Sequence, residues 1–395
     1  MSKTKRYNKK NKIAKTTKNK TVKNKATKNK TTKNKATKNK ATKNKTTKNN
    51  ATKTTPLRIS SNFESGNIIH KKTKDNIVDL EIHEEPYPVS TKRKYKNWFY
   101  FKVSNLSEKT KFNIHKIRNY FNDWAGYTVC YSYDNKNWRR IKTKLNIKKK
   151  KLTWEINPKK GTMWFAFYPP YPFSKSKQLL PNMTTIGYTK DKNPILMKKI
   201  GNGSKRVWLV SGQHPGETIN SWMLEGFIKR ILERKPLFSK KFTFFIIPNA
   251  NPDGNVRGNW YVTSKGINLN RDWLNTKSPE VKAIKTQMDK YGYDVVFDLH
   301  GDEGCTSHFF AHSHGCKPPY FDSINKMLHK KNNHFQLKNY YNDMYMKGAK
   351  DTLDDFTRGI TMEGCMKHPI YNHKTIQDEP LKLGKDLANT LLELF

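Results

Sequence analysis

Between residues 56 and 175, apolar and aromatic positions come in short alternating runs. Trp98-Phe99-Tyr100-Phe101-Lys102-Val103, Tyr127-Thr128-Val129-Cys130-Tyr131-Ser132 and Met163-Trp164-Phe165-Ala166-Phe167-Tyr168 are the clearest. Turn-forming clusters separate them, at 132–137 and at Asn157-Pro158-Lys159-Lys160-Gly161. Short β-prone runs broken by turns predict an antiparallel β-sandwich with an aromatic core. A rigid Pro-rich connector follows, Tyr168-Pro169-Pro170-Tyr171-Pro172-Phe173.

Beyond the connector the period changes. Val207-Trp208-Leu209-Val210 is continuously apolar, as expected of a strand covered on both faces. Trp222, Met223, Phe227, Ile228, Ile231 and Leu232 recur at helical spacing within 221–232. Residues 242–247 predict the next strand, and 279–291 a helix with Pro279 in its first turn. Val295-Val296-Phe297 and Ile360-Thr361-Met362 predict further buried strands, and 381–394 a closing amphipathic helix. Strands alternating with helices predict an α/β fold with a mixed, mostly parallel sheet flanked by helices. Residues 1–55 show neither pattern. A Thr-Lys-Asn-Lys unit recurs there every five residues, with almost nothing apolar to bury. This stretch is expected to be disordered. The chain therefore divides into a tail at 1–55, a β-sandwich at 56–175 and an α/β region at 176–395.

Charge sharpens the picture. Of 78 Lys and Arg residues, 21 fall in residues 1–55, which hold no Asp or Glu; the other 57 face 32 acidic residues. The formal net charge is +46. Such a field attracts anionic partners such as acidic peptides or nucleic acid, although a Lys- and Asn-rich codon bias accounts for the same excess. The tail can bind anions non-specifically, act as a nuclear address, or merely solubilise. Cys130, Cys305, Cys316 and Cys365 have neither zinc-module nor disulfide-framework spacing. No apolar run approaches the roughly 20 residues that span a bilayer. The N-terminus lacks the apolar core of a secretory signal. These features predict an intracellular, cytoplasmic protein with reduced thiols and no membrane span.

Three segments carry candidate chemistry, each after a predicted strand. His214 and Glu217, in Gly212-Gln213-His214-Pro215-Gly216-Glu217, can offer an imidazole and a carboxylate to one ion; Glu217 could instead cap the next helix. His300, in Asp298-Leu299-His300-Gly301-Asp302, can be a third ligand or a structural histidine, with Asp298 in support. Glu363 ends an apolar strand, where an unpaired carboxylate is costly. It is a candidate general base, ligand or salt-bridge partner.

These segments, with Asn251-Pro252-Asp253-Gly254 and Gly266-Ile267-Asn268-Leu269-Asn270-Arg271 between them, resemble the carboxypeptidase A-like zinc metallopeptidases. They most resemble the cytosolic carboxypeptidase branch and its bacterial relatives, and 56–175 is similar to that branch's accessory domain. The resemblance implies one zinc ion held by His214, Glu217 and His300, with a fourth position for water. It implies Glu363 as general base, and Asn270 and Arg271 as the grip on a substrate's terminal carboxylate, to which Arg offers a bidentate fork. The partner would be a peptide or protein C-terminus, including acidic, glutamate-ended tails. In this branch an Arg usually aids the oxyanion where Tyr261 stands here. Either the Tyr261 phenol suffices, or Arg257 or Lys265 substitutes, or activity is weak. Tyr341 and Tyr345 are candidates for the family's substrate-clamping Tyr. Two other readings stay open: a zinc deacylase or amidase on the same scaffold, and a catalytically weakened binding protein that works through its tail.

Overall fold

The computed structural model describes residues 55–86, 95–118, 124–159, 161–312, 318–337, 351–367 and 375–395. The predicted tail, Cys316, Tyr341 and Tyr345 lie outside the described residues, the tail but for residue 55. From Thr54 to Phe395 the chain forms one compact unit.

Ten short strands come first: β1 (Arg58–Ser60), β2 (Ile69–Lys74), β3 (Ile77–Glu81), β4 (Tyr100–Leu106), β5 (Thr110–His115), β6 (Val129–Ser132), β7 (Arg139–Ile141), β8 (Lys144–Asn146), β9 (Lys151–Ile156) and β10 (Gly161–Ala166). They form two five-stranded sheets, ordered β1-β4-β10-β6-β7 and β2-β3-β5-β9-β8. All pairings are antiparallel except β3 with β5, which run parallel. The expected purely antiparallel pattern fails there because β4, between them in sequence, belongs to the other sheet. The chain leaves β3, reverses through β4 and returns to β5 in its original direction. Aromatic rings fill the core: Phe112 stacks on Trp154 at 5.3 Å and meets Phe165 at 5.0 Å. The run from Trp98 to Phe101 is buried at every position, not alternately. Phe99 and Phe101 face Trp154 and Phe112, while Tyr100 packs on Phe63 and Trp138.

The remaining elements alternate. They are α1 (Phe173–Gln178), β11 (Thr184–Tyr188), β12 (Pro194–Gly201), β13 (Lys205–Ser211), α2 (Ile219–Glu233), α3 (Lys235–Lys241), β14 (Phe242–Ile247), α4 (Pro252–Arg257), α5 (Pro279–Tyr291), β15 (Val295–Asp302), β16 (Phe309–Ala311), α6 (Phe321–Lys331), α7 (Leu353–Thr357), β17 (Ile360–Cys365) and α8 (Asp378–Leu394). The sheet order is β11-β12-β14-β13-β15-β17-β16. Its four central strands are parallel, and the outer pairings are antiparallel. Every residue of β14 and β17 is buried, as helices on both faces require. Ser278 caps α5 by accepting from Val281 N, with Pro279 in the first turn. The Pro-rich connector is pinned to α2. Pro169 O accepts from Thr218 Oγ1 and Trp222 Nε1, and Tyr171 donates its hydroxyl to Glu225.

The carboxyl ends of β13, β15 and β17 lie side by side. Ser211 pairs with Leu299, and His300 with Glu363. This edge is where open α/β sheets place their sites.

Candidate metal centre and its surroundings

Gly212, at φ +76°, turns the chain out of β13 in a conformation that a side chain disfavours. The turn it opens carries His214 and Glu217. Its Gly216 N donates to Trp260 O at 2.9 Å, and a Cβ on Gly216 would overlap the Trp260 ring. His214 Nδ1 lies 2.8 Å from Glu217 Oε1, and His300 Nδ1 lies 2.9 Å from Glu217 Oε2. All three side chains are buried, and their ligand atoms fall within 4.8 Å of one another. Glu217 does not cap α2: its oxygens face the imidazoles and Gly301 N. The cap position belongs to Thr218.

The outer nitrogens show what belongs between these groups. Asn268 Oδ1 accepts from Asn270 N, so its oxygen is also what meets His214 Nε2 at 3.0 Å. His214 Nε2 therefore carries the proton, and neutral His214 aims the Nδ1 lone pair at a carboxylate. His300 Nε2 lies 3.0 Å from Asp298 Oδ2 in the same manner. A lone pair facing a carboxylate repels it unless a cation stands between them. Two imidazoles and one carboxylate, with outer nitrogens held by second partners, are the donor set of a zinc site. The residues fit the ion. Without a cation between them, the same groups pair by charge instead. Burial pushes the Glu217 carboxyl up, but His214 and His300 outweigh it and hold it down to about 2. Burial disfavours the His300 imidazolium, yet Asp298 and Glu217 together raise its pKa well above the ordinary value. At His214 burial wins and lowers it.

Glu363 stands in register beside His300 on the next strand. It is buried, and among the described residues nothing hydrogen-bonds or ion-pairs with its carboxylate. Burial pushes it well above the usual carboxylate range; His300 opposes, while Glu217, Asp302 and Asp298 add to the rise. The salt-bridge reading of Glu363 has no partner among the described residues.

A 3-10 turn, Leu269–Arg271, delivers the next two residues. Asn270 Nδ2 lies 3.2 Å from His300 Nε2, and its Oδ1 accepts from Leu353 N. Half-buried Arg271 donates to Asn270 O and pairs with no carboxylate among the described residues. Neighbouring Asp272 is committed elsewhere, accepting from Lys277 N, Ser278 N and Ser278 Oγ. Tyr261 stacks on the His214 ring at 3.9 Å, with 23° between planes. Burial raises its phenol pKa, and the Arg271 charge draws it back. Arg257 and Lys265, the alternative oxyanion cations, both turn to Asp191, at 2.9 and 3.4 Å. Neither contacts His214, Glu217 or His300.

Three residues escaped the sequence reading. Gln213 donates to both Asp298 oxygens, at 2.7 and 2.8 Å, and accepts from Trp273 Nε1. Asn268 orients His214. Both sit inside motifs already singled out, so adjacency to a candidate ligand was the available signal. Glu85 accepts from three backbone N–H groups some 175 residues downstream, and nothing local marks it.

Comparison with known proteins agrees with this geometry. Residues 173–388, more than half the chain, match the family model described as Zinc carboxypeptidase, and the chain belongs to that family of hydrolases. Residues 59–168 match the family model described as Cytosolic carboxypeptidase N-terminal domain. An uncharacterised Zymomonas mobilis protein is 30% identical over 275 residues, covering 65% of this chain and 70% of that protein. Mouse cytosolic carboxypeptidase 3 is 26% identical over 296 residues, which is 62% of this chain but 29% of the mouse protein. The chain thus spans under a third of that relative's length. Among solved structures, a Pseudomonas aeruginosa metallo-carboxypeptidase superposes with a TM-score of 0.75 at 24% identity, covering 85% of this chain and 98% of that one. It shows the shared fold.

Proposed function

We propose that this protein removes C-terminal residues from peptides or proteins, using one zinc ion held by His214, Glu217 and His300. The observation that carries the reading is the meeting of those three donor groups, with Glu363 in register beside His300. Bound zinc supplies an acidified water and polarises the scissile carbonyl. Glu363 takes the proton from the attacking water and passes it to the leaving amine. Its place in register beside His300 suits that transfer. Arg271, which has no carboxylate partner among the described residues, grips the substrate's terminal carboxylate, and Asn270 completes the grip. The Tyr261 hydroxyl donates to the carbonyl oxygen as charge develops there.

Acidic, glutamate-ended tails are the substrate class we favour. The support is the excess of 57 basic over 32 acidic residues outside the N-terminal stretch. Among the described residues no helix is long and apolar enough to cross a membrane. The relatives' name supports a cytoplasmic setting. The retained Asn270 and Arg271 pair is the feature that favours a peptidase over a deacylase or amidase on the same scaffold.

The test incubates the full chain and zinc with glutamate-ended and apolar-ended peptides and with N-acetyl-aspartate. Release of the terminal residue from the first is expected, and Glu363→Gln should lower turnover by roughly 10²–10⁴-fold. No release from any peptide, or equal turnover by the variant, refutes the reading.

A further inference from the structure

The strand-poor segment after β3 ends in a carboxylate that leaves its own sheets. Glu85 Oε2 accepts from Trp260 N at 3.0 Å, Tyr261 N at 2.8 Å and Val262 N at 3.3 Å. Three successive N–H groups curled around one oxygen form an anion nest. Here the acceptor is a carboxyl of the chain itself. Glu85 is buried, and its Oε1 has no hydrogen-bond partner among the described residues. A buried, half-satisfied carboxyl is a costly device for bracing a loop, so what the loop carries matters. Trp260 O accepts from Gly216 N, within the turn that holds His214 and Glu217. The Tyr261 ring lies between two neighbours, Tyr95 at 4.5 Å and His214 at 3.9 Å. Tyr95 and Glu85 both precede β4 in sequence. The same side grips the loop's approach: Asn67 donates to Gly258 O, and Ser65 to Asn255 Oδ1.

We propose that Glu85 is a positioning residue for the reaction: by holding the backbone of 260–262 it fixes the Tyr261 hydroxyl over the metal centre. This rests on the peptidase reading above. A phenol on a loose loop is a poor substitute for a cation, whereas one held in place needs no reorganisation when charge develops. The clamp thus gives the phenol the fixed position that this role requires. Burial raises the Glu85 carboxyl to about 8 against the pull of the three N–H groups, and a neutral carboxyl or amide oxygen still accepts from the nest.

The experiment compares Glu85→Leu, which keeps bulk but no acceptor, with Glu85→Gln, which keeps one. Both are made in the full zinc-loaded chain, alone and combined with Tyr261→Phe. Glu85→Leu should speed amide exchange at 260–262, with β9 unchanged, and lower kcat about tenfold at constant KM. Glu85→Gln should recover most of both. In the Tyr261→Phe background, Glu85→Leu should lower kcat no further, because its effect runs through the hydroxyl. A merely structural Glu85 would lower kcat equally in both backgrounds, and that overturns the proposal. So does unchanged exchange. If Glu85→Leu fails to fold, Glu85→Asp, too short to seat in the nest, takes its place in the cycle. If the wild-type chain hydrolyses nothing, the peptidase reading fails, and the exchange measurement alone decides whether the clamp exists.

Discussion

Replacing Asp298 with Asn probes the proposed zinc site without touching His214, Glu217 or His300. Asp298 is fully buried, and both its oxygens accept. Oδ2 faces His300 Nε2 at 3.0 Å, and Gln213 Nε2 spans Oδ1 and Oδ2 at 2.7 and 2.8 Å. Gln213 cannot turn over to suit a new neighbour, because Trp273 Nε1 donates to its Oε1 at 2.8 Å. An Asn at 298 therefore has two bad orientations. With its oxygen towards His300, its amide hydrogens oppose those of Gln213. With its amide towards His300, Nε2 must accept, the ring proton moves to Nδ1, and the lone pair facing Glu217 disappears. Each orientation strands a buried polar group, at about 1–3 kcal/mol. Losing such an outer partner typically weakens metal binding by about 10–100-fold, or about 1.4–2.8 kcal/mol.

The same substitution removes a buried negative charge. Asp354 lies close enough that burial and then Asp298 raise its carboxyl to about 8. Relief of that repulsion offsets part of the damage in the metal-free protein. The variant should thus lose more melting temperature with zinc than without it. Competition against a chelator gives the zinc affinity, and thermal unfolding with and without zinc gives the second comparison. Unchanged zinc affinity would refute the argument that Asp298 sets the His300 tautomer. An equal drop in melting temperature in both states would show a packing defect instead.

Glu280 links stability to pH. It is buried in the first turn of α5, and burial followed by Asp253 and Asp272 raises it to about 7. An unfolded Glu ionises near 4.5, so between those values the fold binds more protons and rising pH favours unfolding. Stability should fall by on the order of 2 kcal/mol from pH 4.5 to 7.5, and Glu280→Gln should flatten this dependence; an identical slope in the variant refutes it. Helices α2 and α8 meet through glycines. A Cβ on Gly384 would overlap Met223 O, and one on Gly226 would overlap Leu381 O. Gly384→Ala should cost about 1–3 kcal/mol by forcing the helices apart, read as a lower denaturant midpoint with turnover per folded molecule unchanged.

The sequence exposes what repeats or sits next to a motif, and little that depends on distant contact. The continuous apolar run at Val207–Val210 marks a strand covered on both faces, and Ser278-Pro279 marks the start of α5. Each is a local signal. The convergence of His214, Glu217 and His300 was legible because each follows a buried strand, and parallel strands bring their carboxyl ends to one edge. The parallel β3–β5 pairing was not legible, because it depends on β4 crossing to the other sheet. Burial along Trp98–Phe101 hid the alternation that would have marked one face. The pairing of Arg257 and Lys265 with Asp191 was equally hidden. Nothing in Asp191's local sequence distinguishes it from other surface acids.

The two halves of the site are held by different means, and this explains why the β-rich region is bound so closely to it. His300 and Glu363 project from adjacent strands whose register is fixed by backbone hydrogen bonds along β15 and β17. A strand pair needs no outside support to keep two side chains in step. His214 and Glu217 hang from a turn, and Tyr261 from a loop with no regular structure. A turn is only as exact as what packs against it, and a zinc site tolerates small errors in donor position poorly. The support comes from outside the α/β sheet: Pro169 O receives Thr218 and Trp222, Trp260 packs on Phe167 at 5.0 Å, and Glu85 holds 260–262. Arg140 does the same past β17, donating to Met366 O. On this argument the β-rich region cannot be cut away from the α/β region without loosening the site. A truncated α/β region would bind zinc more weakly even where it stays folded.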